Sequence, residues 1–260
     1  MTTTDEILAL AGAAAGPGVA APASAEAVDQ AAEVTEAELA AFGAAAARGA
    51  TSDVVRALLA ISPGPSPAPT ATVLPTTGLP TTGLPNPGPS RNPAWTAWLT
   101  GAAATAAAGE ASENPKTAPV HHAWLAVFAA GLALSGSPER LPAGMTVRAA
   151  VDAGMSAAAL VETGLDDWGG WSPGTVAATI GAGVTAGLLL GLTGPRLRAV
   201  IGICATQASG LAAAEGTQAL ALQVGKAAFN GVEAAMLARA GFTAPAEPLD
   251  GRRGLFALFG

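Results

Sequence analysis

Three observations predict an all-α protein. Half of the 260 residues are apolar, so a chain of this length can bury a sizeable core. The side chains available to fill it are small: Ala and Gly are abundant, aromatic residues amount to 4% and tyrosine is absent. Such a composition favours closely spaced helices over an interior of large residues. Finally, no apolar–polar alternation runs long enough for a strand. Charged residues make up 12% of the chain, against roughly 25% in ordinary soluble domains, so self-association or a membrane is expected to hide much of the surface. The net charge of −7 supplies no basic stripe for a phosphate backbone and argues against a nucleic-acid partner. The single cysteine, Cys204, rules out an intrachain disulfide framework, and the opening "MTTTDEILAL" lacks the cationic segment of a secretory signal. A cytoplasmic protein is the expectation.

Residues 1–24, Ala/Gly-rich with Pro17 and Pro22, read as a flexible arm. A single helical domain over 25–260 is expected to follow. Between Ala25 and Gly49 the polar positions Glu26, Asp29, Glu33, Glu36 and Arg48 interleave with apolar ones and end at a glycine, the pattern of a helix. Ser52 or Asp53 can cap a second helix, "DVVRALLAIS", which Pro63 stops. Residues 62–93 hold two copies of Leu-Pro-Thr-Thr-Gly, and that density of proline excludes a regular helix. This stretch is either a solvated linker or an ordered loop held by Val73, Leu74, Leu79 and Leu84; the regular spacing of these apolar residues favours the loop.

Helices are predicted for "PAWTAWLTGAAATAAAG" after Pro93, for "VHHAWLAVFAAGLALSG", and for "TVRAAVDAGMSAAALVETG", whose charges lie on one side. After the turn Trp171-Ser172-Pro173 come "GTVAATIGAGVTAGLLLGL", "PRLRAVIGICATQASGL" and "GKAAFNGVEAAMLARAG", the last with Lys226, Glu233 and Arg239 on one side. The uncharged run from Trp168 to Pro195 exceeds the roughly 20 residues a membrane span needs. Its eight glycines leave few large lipid-facing side chains, and no aromatic belt with a cationic loop flanks it. A helix buried in a bundle is the better expectation, with no membrane partner.

The phrases "ATVLP", "NPAWTAWLTGAAATAAA", "HHAWLAVFAAGLAL" and "GWSPGTVAATIGAGVTAGLLLGLTGPRLRAVIGICATQASGLAAAEGTQALALQVGKAAFNGVEAAMLARAGF", in that order, resemble the MmgE/PrpD family over roughly residues 30–260. That family includes 2-methylcitrate dehydratase and cis-aconitate decarboxylase. The resemblance implies a large helical domain, a smaller α/β lid that this sequence does not reach, a homodimer, no metal or other cofactor, and lyase or isomerase chemistry on small polycarboxylic acids.

Residue by residue, the family's chemistry is mostly replaced. Gly170-Trp171-Ser172-Pro173 stands where the resemblance implies Gly-Trp-His-Pro, so a hydroxyl replaces an imidazole. Gly216-Thr217-Gln218-Ala219-Leu220-Ala221-Leu222-Gln223 stands for Gly-Thr-Met-Thr-Lys-Pro-Leu-His, exchanging a lysine for Leu220 and a histidine for Gln223. Ala108-Gly109-Glu110-Ala111-Ser112 aligns with Asp-Phe-Asp-Asp-Thr, losing an aspartate and keeping a hydroxyl at Ser112. His122 matches the histidine opening the next helix, with His121 beside it, and Lys226 takes the place of an arginine. The resemblance therefore nominates His122, Ser112 and Ser172 as catalytic residues, and His121, Trp171, Gln223, Lys226 and Thr217 as substrate-binding residues.

Each nominee has a plainer reading. Ser172 before Pro173 is a natural helix N-cap. His122 can simply hydrogen-bond at a helix start, and adjacent histidines point about 100° apart on a helix, which argues against a shared metal. Asp166 and Asp167 read as solvated charge, "GRRG" at 251–254 as solvated surface, and Cys204 as a buried, inert thiol. Proton abstraction beside a carboxylate needs a base and cations, and the substitutions to Ala, Ser, Leu and Gln remove most of both. Besides a membrane-associated protein, which the glycine-rich run disfavours, two functional readings follow. One is a diverged lyase, isomerase or cyclase acting on a less charged small molecule, an intermediate of specialised metabolism. The other is a catalytically silent helical subunit pairing with itself or with a full-length relative.

Overall fold

The computed structural model describes residues 1–15, 34–61, 92–111, 122–135, 141–165 and 169–258. Among these residues the regular structure is helical: α1 (Thr3–Ala14), α2 (Glu36–Gly49), α3 (Asp53–Ala60), α4 (Pro93–Ala111), α5 (His122–Ser135), α6 (Val147–Thr163), α7 (Pro173–Leu189), α8 (Gly194–Gln207) and α9 (Gln218–Arg239). Short 3₁₀ turns occupy Ala212–Ala214 and Phe256–Leu258. The all-α expectation holds. The expected loop at 62–93 falls almost wholly outside the described residues, as do residues 25–33 of the first predicted helix.

The helix starts are written locally. Thr35 accepts a hydrogen bond from the Glu38 N–H while the Glu38 carboxylate accepts one from the Thr35 N–H, closing a capping box on α2. Ser52 Oγ accepts from the Val55 N–H to cap α3, and Thr146 Oγ1 accepts from the Ala149 N–H to cap α6. Pro93 opens α4, where its missing N–H costs nothing, and Asn92 Oδ1 accepts from the Ala94 N–H.

The uncharged run forms α7, the hub of the bundle, packed against α5, α6, α8 and α9. Every one of its residues from Thr175 to Leu189 is buried. Among the described residues no helix is long and apolar enough to cross a membrane. Glycines set the approach of the hub's neighbours. A Cβ on Gly181 would lie 2.6 Å from the Gly154 carbonyl of α6, and one on Gly231 of α9 would lie 2.6 Å from the Gly183 N of α7. Backbones meet directly at these crossings, so side-chain ridges do not hold them apart. α6 buries Val151, Gly154, Ala158 and Val161 on one side and carries the Arg148–Asp152 pair, 3.4 Å apart, outside the core, as its amphipathic pattern requires.

Residues 3–14 correct the expectation of a flexible arm. Thr2 and Asp5 form a capping box on α1, and Ile7 and Ala11 are completely buried in the main core. The helix is also tethered to the far end of the chain. The Arg198 guanidinium donates to Asp5 Oδ1 at 2.5 Å and to the Ala246 carbonyl at 2.9 Å, and Thr3 Oγ1 donates to Asp250 Oδ1 at 2.8 Å. The bond from Arg198 holds the Asp5 carboxyl at about 2, below its ordinary 3.8. The tether partners Arg198 and Asp250 lie 193 and 247 positions away in sequence, so the local composition could not announce them.

Candidate functional site

At the start of α7 the chain makes a two-stranded ribbon too short to be a sheet. Gly170 adopts a left-handed φ of 96°, which turns the chain into it. Trp171 then pairs antiparallel with Leu211. The Ser172 N–H donates to the Gly210 carbonyl and the Ala212 N–H to the Gly170 carbonyl, both at 3.0 Å. Gly210 must be glycine twice over: its φ is 150°, and a Cβ there would lie 2.8 Å from Thr175 Cβ.

Ser172 occupies the N-cap position with Pro173 directly after it, but its hydroxyl does not cap the helix backbone. Ser172 Oγ instead pairs with Thr175 Oγ1 at 2.8 Å, and both residues are buried. From α9, Gln223 Nε2 donates to Thr175 Oγ1 at 3.2 Å and to the Leu211 carbonyl at 3.4 Å, while Gln223 Oε1 accepts from the Leu211 N–H at 3.1 Å. The carboxamide thus ties the ribbon to the first turn of α7. Thr175 was absent from the sequence nominees; its position three residues after a Ser-Pro turn was the signal available, since helical spacing returns residue 175 to the side of 172.

Lys226 lies one turn beyond Gln223 on α9. Its Nζ sits 3.7 Å from the ring centroid of Phe229 and 5.0 Å from that of Trp98, a cation–π arrangement that favours the charged amine. Trp95 stacks on Trp98 with ring centroids 4.8 Å apart, and both rings meet Phe229 edge-on. Burial among these rings pushes the amine below the usual lysine range, and the charge of Glu233 works against that shift. Thr217 is exposed and serves as the N-cap of α9: its Oγ1 accepts from the Ala219 N–H at 3.2 Å and donates to the Ala214 carbonyl at 2.7 Å.

The structure therefore brings Trp171, Ser172 and Gln223 together around Thr175, sets Lys226 one turn away, and employs Thr217 at a helix start. His122 is the first residue of α5; its side chain, together with Ser112 and His121, lies outside the described residues. Cys204 is buried beside Gly183, and burial pushes its thiol up, leaving no thiolate for nucleophilic chemistry. Among the described residues no cluster of His, Cys, Asp or Glu could hold a metal ion. An open apolar groove of about 650 Å³, lined by Leu8, Arg196, Ala238 and Phe242 among others, lies away from the ribbon and shares no residue with it. The described part of the site offers two hydroxyls, a carboxamide and one amine. Such a set can bind and orient a ligand; a hydroxyl without an adjacent base does not abstract a proton.

The family model described as the MmgE/PrpD N-terminal domain matches residues 126–260, just over half of the chain. The match begins within α5 and takes in the whole ribbon, α7 and α9. No curated protein matches the chain.

Proposed function

The chain belongs to the MmgE/PrpD family, and on that premise we propose that it is a diverged enzyme of lyase, isomerase or cyclase type. Its substrate is a small molecule carrying less charge than the polycarboxylic acids of the family's dehydratase and decarboxylase members. The observation that carries this reading is the hydrogen-bonded set Ser172–Thr175–Gln223 at the start of α7, with Lys226 as the one cation among the named and described site residues. A polycarboxylate requires several cations or charge-assisted donors around it; a neutral or singly charged molecule does not. His122 enters as the acid or base, being the one matched motif position whose side chain exchanges a proton near neutral pH; Ser112 and Ser172 support it. Trp171, His121, Lys226, Gln223 and Thr217 surround the ligand or hold the segments that do.

The test is an assay of purified protein on cis-aconitate, on 2-methylcitrate and on a panel of their monoesters and amides, alongside a His122→Ala variant. Turnover is expected only within the less charged panel. Loss of a general acid or base typically slows turnover about 10²- to 10⁴-fold, so the variant should fall by that order. Turnover of either parent acid, or an unimpaired His122→Ala variant, overturns the assignment.

A second reading is supported by the substitutions: Ser172, Leu220 and Gln223 stand where the resemblance implies a histidine, a lysine and a histidine. On this reading the chain is a silent helical subunit that pairs with a full-length relative supplying a lid and the missing groups. Activity appearing only on co-expression with such a relative would favour it. We place the protein in the cytoplasm, as a homodimer under the first reading and as a homo- or heteromer with a full-length relative under the second.

A further inference from the structure

The groove away from the ribbon carries a charge opposite to that of the chain. It lies where α1, the start of α8 and the segment after α9 converge, and its volume of about 650 Å³ falls within the range of small-molecule sites. Leu8, Ala199, Ala238 and Phe242 give it apolar walls, and Phe242 is 60% exposed. The space is open at two backbone positions: Gly194 and Gly241 both line it, and a Cβ on either would meet nothing within 4 Å. None of its described lining residues is acidic, although the net charge of the protein is −7, and two of them are arginines. Those two are not equivalent. Arg198 is committed within the fold: its guanidinium donates to Asp5 Oδ1 at 2.5 Å and to the Ala246 carbonyl at 2.9 Å, with Glu247 3.5 Å away. Arg196 is exposed, and its guanidinium makes no hydrogen bond or ion pair with any described residue. It cannot shed its charge, and its planar fork of donors matches a carboxylate. Arg196 and Ala199 are three positions apart on α8 and so share one side of the helix; an anion held by Arg196 has apolar surface beside it.

An unpaired cation at the edge of an apolar trough suits a ligand that is itself divided into a charged head and an apolar body. We infer that this groove is a second binding site, for a free amphipathic carboxylate of the fatty-acid type: Arg196 holds the head group, and Leu8, Ala199 and Phe242 shelter the acyl chain. An inorganic anion would leave the apolar walls uncovered, and a neutral hydrocarbon would leave Arg196 without a partner. An anionic bilayer is a poorer occupant, because the net charge of −7 repels such a surface. Leu8 belongs to α1 and Ala199 to α8, so a seated chain bridges the two helices. The groove shares no residue with the Ser172–Thr175–Gln223 set, and its occupancy is therefore separable from turnover.

Octanoate, 1-octanol and octylammonium share a chain and differ in head group, and hexanoate shortens the chain. Each is titrated into the native protein while the amide resonances of Leu8, Ala199 and Phe242 are followed, with that of Trp171 as a reference outside the groove. Octanoate should bind saturably and about fivefold more tightly than octanol, the upper range for a partly exposed ion pair, and octylammonium should bind weakest. Salt at about 0.5 M should narrow the ratio of octanoate to octanol. Hexanoate should bind about fourfold more weakly than octanoate, at about twofold for each half-sheltered methylene. Arg196→Gln should abolish the preference for octanoate, Arg196→Lys should retain part of it, and Phe242→Ala should weaken octanoate and octanol alike. Both side chains are exposed, so these variants leave the core intact. Equal affinities for octanoate and octanol in the native protein, a preference surviving in Arg196→Gln, indifference to chain length, or shifts centred on Trp171 would each overturn the inference. So would cosedimentation with phosphatidylglycerol vesicles without saturable binding of octanoate, which would assign the groove to a membrane surface.

Discussion

Gly231→Ala tests the contact that sets the spacing of α7 and α9, and with it the reach of Gln223 to Thr175. A Cβ at residue 231 would lie 2.6 Å from the Gly183 N and 2.7 Å from both the carbonyl carbon and the Cβ of Ala182. Ordinary contact begins at 3.4 Å, so the helices must separate by about 0.8 Å. Two of the obstructing atoms are backbone, and no rotamer change relieves them. Overpacking costs about 1–3 kcal/mol, and the upper end applies to a backbone obstruction. Replacing a helical glycine by alanine returns about 1 kcal/mol of propensity. The expected net loss is about 2 kcal/mol. Gly187→Ala, on α7, is the comparison. There the new Cβ meets the tip of Leu197, Cδ1 at 2.7 Å, with the next atom at 3.6 Å. A side-chain tip can move, so the overpacking cost should fall to about 1 kcal/mol and cancel against propensity. Urea unfolding should place the Gly231→Ala midpoint about 1 M below native, with Gly187→Ala within about 0.3 M of it. Equal midpoints for the two variants, or a stabilised Gly231→Ala, would refute the claim that these backbones touch.

Ile7→Ala should cost about 3 kcal/mol, because Ile7 is fully buried in the core; a value near zero in the same titration would restore the flexible arm that the composition suggested. The Arg198–Asp5 tether gives α1 a pH dependence. Since the folded Asp5 carboxyl sits at about 2 and its ordinary value is 3.8, its contribution is complete above about pH 4 and is lost as pH falls towards 2. Amide exchange at Ile7 and Ala11 should therefore gain protection from pH 2.5 to pH 5 once intrinsic rates are removed, and Arg198→Gln should flatten that profile; a native profile already flat would exclude the tether. The low charge content leads to the expectation of a dimer in detergent-free sedimentation, and a monodisperse monomer would count against it.

The helices of this chain are legible because their signals are local. Ser52, Pro93 and Pro173 mark helix starts within a residue of where they fall, and the absence of charge from 169 to 195 agrees with burial of α7 on all sides. The same local reading failed at α1. Three large apolar residues in an Ala-rich stretch make a weak pattern until Arg198 and Asp250 are brought against it.

The candidate site divides the same way. Sequence alone nominated Trp171, Ser172 and Gln223 through their places in the family's phrases, and its plainer reading of Ser172 as an N-cap holds for the position but not for the hydroxyl, which makes no cap bond. It had no means of finding that the hydroxyl turns from the helix backbone to Thr175, or that Gln223, 48 positions away, meets the same threonine. Nor could it seat Lys226 over Trp98, 128 positions distant by their numbers in the chain. Those meetings depend on how closely α7, α9 and α4 approach, which is set where Gly183 faces Gly231 and where Gly225 faces the Trp98 carbonyl. A glycine in a sequence states only that a side chain is missing. Which backbone fills the space is decided when the helices cross, because close packing is a property of the pair and not of either strip of residues.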